Sequence, residues 1–180
     1  MTERTPTGGH MLVQQRTVLS LGSNLGERME NLQEAIDALF DAPGLSCVAL
    51  SPVYETAPWG DVEQPDYLNV VLIADTRLTP ETLLDRVLSI EDAMRRERVI
   101  KWGPRTLDID IVTFGNVISG APELILPHPH AHERAFVLAP WADIDPDAVL
   151  PGHGRVADLL VAVGTQKVVR RDDLTLQTPA

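Results

Sequence analysis

Cysteine is almost missing from this sequence. Cys47 stands alone among 180 residues, so no disulfide can close within the chain and no cysteine-based zinc site can be built. It lies in the apolar run Cys47-Val48-Ala49-Leu50 and reads as a small buried hydrophobe. Bases are scarce, 15 against 26 acids for a net charge of -11, and a chain so charged repels a nucleic-acid backbone. No apolar run reaches the roughly 18 residues that a membrane-spanning helix requires. Residues 1–16 lack the apolar core and cleavage site of a secretory signal, so a cytoplasmic protein is expected. Gly-x-x-x-x-Gly-Lys-Ser/Thr is absent, which excludes P-loop chemistry, and the absence of Gly-x-Gly-x-x-Gly argues against a Rossmann dinucleotide site.

What is present is ordinary for a folded domain: 44% hydrophobic and 23% charged residues, on a length that buries one real core. Residues 1–16 show no period and read as a loose tail, 17–163 as one domain, and 164–180 as a C-terminal tail to which no function attaches. Thr17-Val18-Leu19-Ser20-Leu21 predicts a buried strand. A helix follows, with Asn24 and Glu27 spaced as a capping box and an apolar stripe of Met29, Leu32, Ile36, Leu39 and Phe40, ended by Pro43-Gly44. Strands are expected over 45–54 and 67–74, joined by a long connection from Glu55 to Asp66. Thr79-Pro80-Glu81 starts a second helix, striped by Leu83, Leu84, Val87, Leu88, Ile90 and Met94. Leu107 to Phe114 predicts a fourth strand, 123–126 a short strand, and 156–163 a terminal helix. Strand, helix, strand, strand, helix, strand, with right-handed crossovers, implies an α+β fold. It is a ferredoxin-like βαββαβ antiparallel sheet with both helices on one face, plus a C-terminal extension.

The strongest chemical signal is Asp108-Ile109-Asp110 on that fourth strand. Residues two apart share a face, so the two carboxylates point together while Leu107, Ile109 and Ile111 point into the core. Paired carboxylates repel unless a cation lies between them, and Mg²⁺ characteristically takes one or two carboxylates plus substrate phosphates. The plainer alternative is a solvated polar strand face. Context favours the metal. Five of the 15 basic residues (Arg95, Arg96, Arg98, Lys101 and Arg105) fall within the 11 positions leading into the pair. Arginine holds phosphate bidentately, so the combination suits a polyphosphate. The glycine-rich turn Gly22-Ser23-Asn24-Leu25-Gly26 reads, taken alone, as a helix cap. In Pro127-His128-Pro129-His130-Ala131-His132, a hydrogen bond from His128 to phosphate is the favoured function, while His130 and His132 read as surface residues.

Together these segments resemble the 6-hydroxymethyl-7,8-dihydropterin pyrophosphokinase family of folate enzymes. The resemblance rests on Gly22-Ser23-Asn24-Leu25, Tyr54-Glu55-Thr56, Gln64-Pro65-Asp66-Tyr67-Leu68-Asn69 and Arg96-x-Arg98. It continues through Trp102-Gly103-Pro104-Arg105-Thr106-Leu107-Asp108-Ile109-Asp110-Ile111, Pro127-His128-Pro129 and Arg134-Ala135-Phe136, and so runs over residues 17–160. It implies transfer of the β,γ-diphosphate of ATP to the hydroxymethyl oxygen of the pterin, with release of AMP. Asp108 and Asp110 would hold two Mg²⁺ ions, and Arg96 and Arg105 would close over the reacting phosphates. Leu88, Glu91, Arg98, Trp102, Ile111, His128 and Arg134 would lie on the nucleotide side. Tyr67 and Phe136 would sandwich the pterin, with Asn69 and the Thr56-Ala57-Pro58-Trp59 segment bonding its edge. A monomer acting on small molecules, with no nucleic-acid or membrane partner, is expected. Arg95 stands where a glycine is common, Lys101 where an arginine is usual, and Trp59 where an aliphatic residue is usual. A non-catalytic nucleotide- or RNA-binding module and a two-metal phosphohydrolase are the competing readings; the second leaves the two aromatics without a role.

Overall fold

Nine residues, Gln15–Ser23, form the first strand (β1), buried over its last seven positions, and everything else is arranged around it. The structure, a computed structural model, describes residues 13–58, 63–96 and 106–179. The elements that follow are α1 (Arg28–Asp41), β2 (Leu45–Leu50), β3 (Tyr54–Thr56), β4 (Tyr67–Thr76), α2 (Pro80–Arg96) and β5 (Asp108–Phe114). A small hairpin of β6 (Ser119–Ala121) and β7 (Leu124–Leu126) comes next, then a short 3₁₀ turn at Ala131–Glu133 and α3 (Ala135–Ile144). The chain ends with β8 (Val149–Leu150), β9 (Gly154–Arg155), α4 (Val156–Ala162) and β10 (Val168–Arg170).

The main sheet is antiparallel in every described pairing, in the order β10-β3-β4-β1-β5, with β2 pairing the far half of β4. β2 and β3 share that side of β4 because residues 51–53 break the ladder between them. Pro52 has no N–H to give to a ladder. Ser51 Oγ accepts from the Val71 amide at 2.9 Å in its place. The long connection therefore begins one short strand later than the sequence pattern suggests.

Strand alternation divides the core in two. Leu19, Leu21, Val70, Leu72 and Ile109 face the α1 and α2 side, where Leu32, Ile36, Leu39, Leu83 and Val87 meet them. Each such side chain, fully buried, stabilises the fold by about 1.5–3 kcal/mol. Val18, Val71, Ile73 and Val112 face the other way, onto Val137, Leu138 and Trp141 of α3 and Val156 of α4. The expectation of α1 and α2 on one face holds, and two further helices cover the opposite face. Leu88 leaves the expected stripe and is exposed, and Cys47 is half-buried rather than buried.

Three local expectations change. Asn24 does not cap α1, whose N-terminal residue Glu27 makes no side-chain cap bond. The Asn24 amide instead donates to Gln64 Oε1 at 3.1 Å and Pro65 O at 3.2 Å. α3 leaves no mark in the sequence pattern: Ala135 to Ile144 is apolar on nearly every side and contains Pro140, so it shows no helical alternation and carries a residue that normally breaks helices. The segment after α4 adds β10 to the sheet edge at β3, and Leu176 packs into the α1/α2 core. Thr79 does cap α2, accepting from the Thr82 amide at 3.2 Å.

Candidate active site

Along β1, β4 and β5, the face beneath α3 and α4 is apolar only halfway. Beyond Val18, Val71 and Val112 the same face continues as Ser20 and Gly22, Asn69 and Tyr67, Asp110 and Asp108. Register sets these in rows: Asp110 lies opposite Ser20, Asp108 opposite Gly22, and Gly22 opposite Asn69. A cavity of about 460 Å³ opens over them, within the size range of small-molecule sites, and Thr56, Ala57, Pro58, Gln64, His130, Glu133, Arg134 and Phe136 complete its lining.

Gly22 is small for a reason. A Cβ there would lie 2.9 Å from Asn69 Oδ1 and 3.5 Å from Tyr67 Cδ1, so any side chain would press on the cavity wall. Asn69 is buried, and its amide nitrogen donates to Thr56 Oγ1 at 2.8 Å. That bond fixes the amide so that Oδ1 points into the gap beside Gly22.

The other end of the cavity is charged. Asp108 and Asp110 are partly exposed, alternating with buried Ile109 and Ile111. Behind them Glu91, buried on α2, accepts from the Ile109 amide at 3.1 Å. Burial pushes its carboxyl up from the usual range and the two aspartates push the same way, against the Ile109 amide and Arg95. His128 Nε2 lies 3.8 Å from Asp110 Oδ1, and Arg134 Nη1 lies 3.9 Å from Asp110 Oδ2. Burial holds the His128 ring below its ordinary pKa, with Arg134 and His130 adding to the effect and Asp110 opposing it. His128 Nδ1 accepts from the His130 amide at 3.2 Å. In the neutral ring the proton is therefore on Nε2, a donor on the side of Asp110. The Arg134 guanidinium carbon lies 5.5 Å from the centre of the Phe136 ring, within cation–π range.

The fold thus brings Asp108, Asp110, Arg134, Thr56, Ala57, Tyr67, Asn69 and Phe136 to one cavity, with Glu91 and His128 against its acidic end. Leu88 is exposed on α2 and Ile111 is buried in the core, neither lining the cavity. Trp59, Arg98, Trp102 and Arg105 lie outside the described residues, as does the side chain of Arg96, the last residue of α2. The sequence pattern does not single out Ser20 or Glu133, and it reads Gly22 as part of a cap and His130 as plain surface. The signal for Ser20 and Gly22 was the period-two alternation of β1 carried past Val18. For His130 and Glu133, on an irregular turn, no pattern pointed inward.

The description of the 7,8-dihydro-6-hydroxymethylpterin-pyrophosphokinase (HPPK) family matches residues 18–146 of the chain. A 2-amino-4-hydroxy-6-hydroxymethyldihydropteridine pyrophosphokinase of Pseudomonas aeruginosa is 44% identical over 156 residues, 87% of this chain and 96% of that protein. A pyrophosphokinase of the same name from Methylorubrum extorquens is 45% identical, over 77% of this chain and 87% of that one. The Mycobacterium tuberculosis pyrophosphokinase is 41% identical over 92% and 91% of the two chains. Among solved structures, the Plasmodium falciparum HPPK-DHPS in complex with pteroate is similar with a TM-score of 0.66 at 14% identity, over 86% of this chain. This chain spans 41% of that longer one, and the likeness concerns the fold.

Proposed function

This chain belongs to the 7,8-dihydro-6-hydroxymethylpterin-pyrophosphokinase family, and on that premise we propose that the half-covered sheet face is where it works. The reaction is ATP-dependent pyrophosphoryl transfer to 6-hydroxymethyl-7,8-dihydropterin, a step of folate biosynthesis. The observation that carries the site assignment is convergence. Two carboxylates of β5 and two aromatics, Tyr67 of β4 and Phe136 of α3, come from distant parts of the chain to one cavity.

On this reading the pterin lies at the end formed by Tyr67 and Phe136, whose flat faces suit a fused heteroaromatic ring. Asn69 gives its N–H to Thr56 and keeps Oδ1 to accept from the N–H edge of the pterin, with the Thr56-Ala57-Pro58-Trp59 segment bonding the rest. The triphosphate lies at the acidic end. Among the described residues no three metal-ligating side chains cluster. Two carboxylates on one strand face nevertheless fit Mg²⁺, which fills its remaining positions with water and phosphate oxygens. Two Mg²⁺ ions on Asp108 and Asp110 would supply neutralisation of the triphosphate charge. His128 Nε2–H and the Arg134 guanidinium donate to phosphate oxygens beside them. Glu91 holds the β5 backbone from behind through the Ile109 amide. Arg98 and Trp102 are assigned to the nucleotide, Arg96 and Arg105 to the reacting phosphates; Leu88 and Ile111 would contribute packing or backbone only.

The strand order, with β2 and β3 together as the second strand, supports a ferredoxin-like arrangement extended by β10. The pyrophosphokinase domain is assigned to residues 17–163 together with the following segment that adds β10 to its sheet, acting as a monomer in the cytoplasm, where ATP is plentiful. No described helix is long and apolar enough to cross a membrane. The test is incubation with Mg-ATP and 6-hydroxymethyl-7,8-dihydropterin, separating AMP from ADP. AMP formed one-for-one with pterin consumed is expected. ADP would mean simple phosphoryl transfer and overturn the reading.

A further inference from the structure

The C-terminal segment, to which the sequence pattern assigns no role, is tied to the wall of the cavity at several points. β10 pairs with β3 in the register Val168 to Thr56, Val169 to Glu55 and Arg170 to Tyr54, and the Arg171 amide donates to Val53 O at 2.8 Å. Without it β3, three residues long, would be a free edge. Beyond the strand, Leu174 and Leu176 pack against the α1/α2 core. Gln177 and Gln33 bond each other twice, at 2.7 and 3.1 Å.

The side chains make a second set of ties. Glu55 is held from both sides: Oε1 accepts from Arg171 Nη1 at 3.1 Å and Oε2 from Arg28 Nη1 at 2.8 Å. Arg28 Nη1 also donates to Asp66 O at 2.8 Å. Glu55 immediately precedes Thr56 and Asp66 immediately precedes Tyr67, so Arg28 bridges the two ends of the connection between β3 and β4. Thr56, Ala57, Pro58, Gln64 and Tyr67, all in or beside that connection, line the cavity. Arg171 is itself fixed by a two-pronged contact with Asp173, at 2.9 and 2.8 Å. Arg170 reaches the other way, with Nη1 3.6 Å from Asp143 Oδ2. The same carboxylate accepts from the Tyr54 hydroxyl. Asp143 is on α3, the helix that starts beside Phe136.

We infer that the segment Val168–Gln177 is a brace for the dihydropterin end of the cavity, and that Arg171 is a positioning residue acting through Glu55 and Arg28. This rests on the assignment of Thr56, Tyr67 and Asn69 to the pterin. Arg171 touches no substrate; it holds the carboxylate that holds the connection in place. Binding geometry at one end of the cavity is the quantity it governs, and two strands, β4 and β1, separate β3 from the acidic end on β5.

Steady-state kinetics of the full chain carrying Arg171→Ala tests this, varying the dihydropterin at saturating Mg-ATP and then the reverse. The KM for the dihydropterin should rise about fivefold, the size expected of a partly buried charge pair, while the KM for ATP stays put. Arg171→Lys, which keeps the charge but loses the fork to Asp173, should fall between. Glu55→Gln gives the same reading if Arg171→Ala does not fold. An unchanged KM for the dihydropterin in folded variants overturns the brace and leaves the cavity assignment standing. A rise confined to the KM for ATP overturns both, because the wall held by Glu55 would then serve the nucleotide.

Discussion

One face of the central sheet has two ends made of the same three strands, and the two differ in everything except geometry. At one end β1, β4 and β5 present Val18, Val71, Ile73 and Val112 to α3 and α4, and all four are buried. At the other they present Ser20, Gly22, Asn69, Tyr67, Asp110 and Asp108 to a cavity. The β1–β4 register runs unbroken from one end to the other, and the β1–β5 register shifts once, between Val18 and Leu19. Folding accounts for the apolar end completely. It does not account for two adjacent carboxylates and a missing side chain at Gly22, which gain nothing by sitting there unless something enters. The comparison separates residues that hold the sheet together from residues that the sheet merely holds.

Substitutions that trade stability against turnover would break or sharpen this division. The largest effect is expected from Asp110→Ala. Turnover should fall by at least about a thousandfold, the scale of a lost transition-state contact. The thermal midpoint should barely move, since Asp110 is partly exposed. Near-normal turnover in the folded variant removes the carboxylate pair from the site. Leu150→Ala, at the covered end, should do the reverse. Leu150 is fully buried in the cluster that includes Leu138, Trp141 and Val156, and its truncation should cost about 2–5 kcal/mol in denaturant unfolding. Its kcat and both KM values should be intact where the protein is folded; altered kinetics would mean that the two ends are coupled.

Gly22→Ala comes third. The new methyl group, 2.9 Å from Asn69 Oδ1, should raise the KM for the dihydropterin about tenfold, a strain-sized penalty, and leave the KM for ATP alone. Equal rises in both would mean that Gly22 shapes the whole cavity. The smallest effect concerns the seam between β3 and α3, where the Tyr54 hydroxyl donates to Asp143. Tyr54, opposite Asn69 in register, is pushed up to about 12, first by burial and then by its hydrogen bond and charge repulsion with Asp143. A raised folded-state value means stability fully present below the ordinary 10.0 and lost as pH rises toward about 12. In Tyr67→Phe, Tyr54 is the only tyrosine left of the chain's two. Its phenolate absorbance should grow in near the upper value, and a midpoint near 10.0 would show the seam to be open.

Much of this was legible because strands and amphipathic helices write themselves in period. The alternation of Asp108 and Asp110 with Ile109 and Ile111, and the stripes of α1 and α2, lead from sequence to the acidic end of the cavity without coordinates. What was not legible lacked a period. α3 is buried on nearly every side, so Ala135 to Ile144 offers no contrast between faces, and Pro140 reads as a stop. β10 is three residues of edge strand whose role comes from long-range partners, Glu55 and Asp143, that no local pattern reveals. Asn24 has the spacing of a cap, but its amide bonds a segment forty residues away. Glu91, at the end of a helix, reads equally well as solvated; only packing shows it buried behind β5.

That position of Glu91 has a colloidal consequence. β5 is the last strand of the main sheet, and a bare strand edge invites another chain to add its own strand. Here the outward amide of Ile109 is taken by the Glu91 carboxylate, and the Val112 carbonyl by the His128 amide at 2.9 Å. Two positions beside the acidic end of the cavity therefore also occupy the sockets through which copies of this chain could polymerise. A variant that loses the Glu91 carboxylate uncovers one of those sockets, so its defect would be visible in light scattering as well as in catalysis.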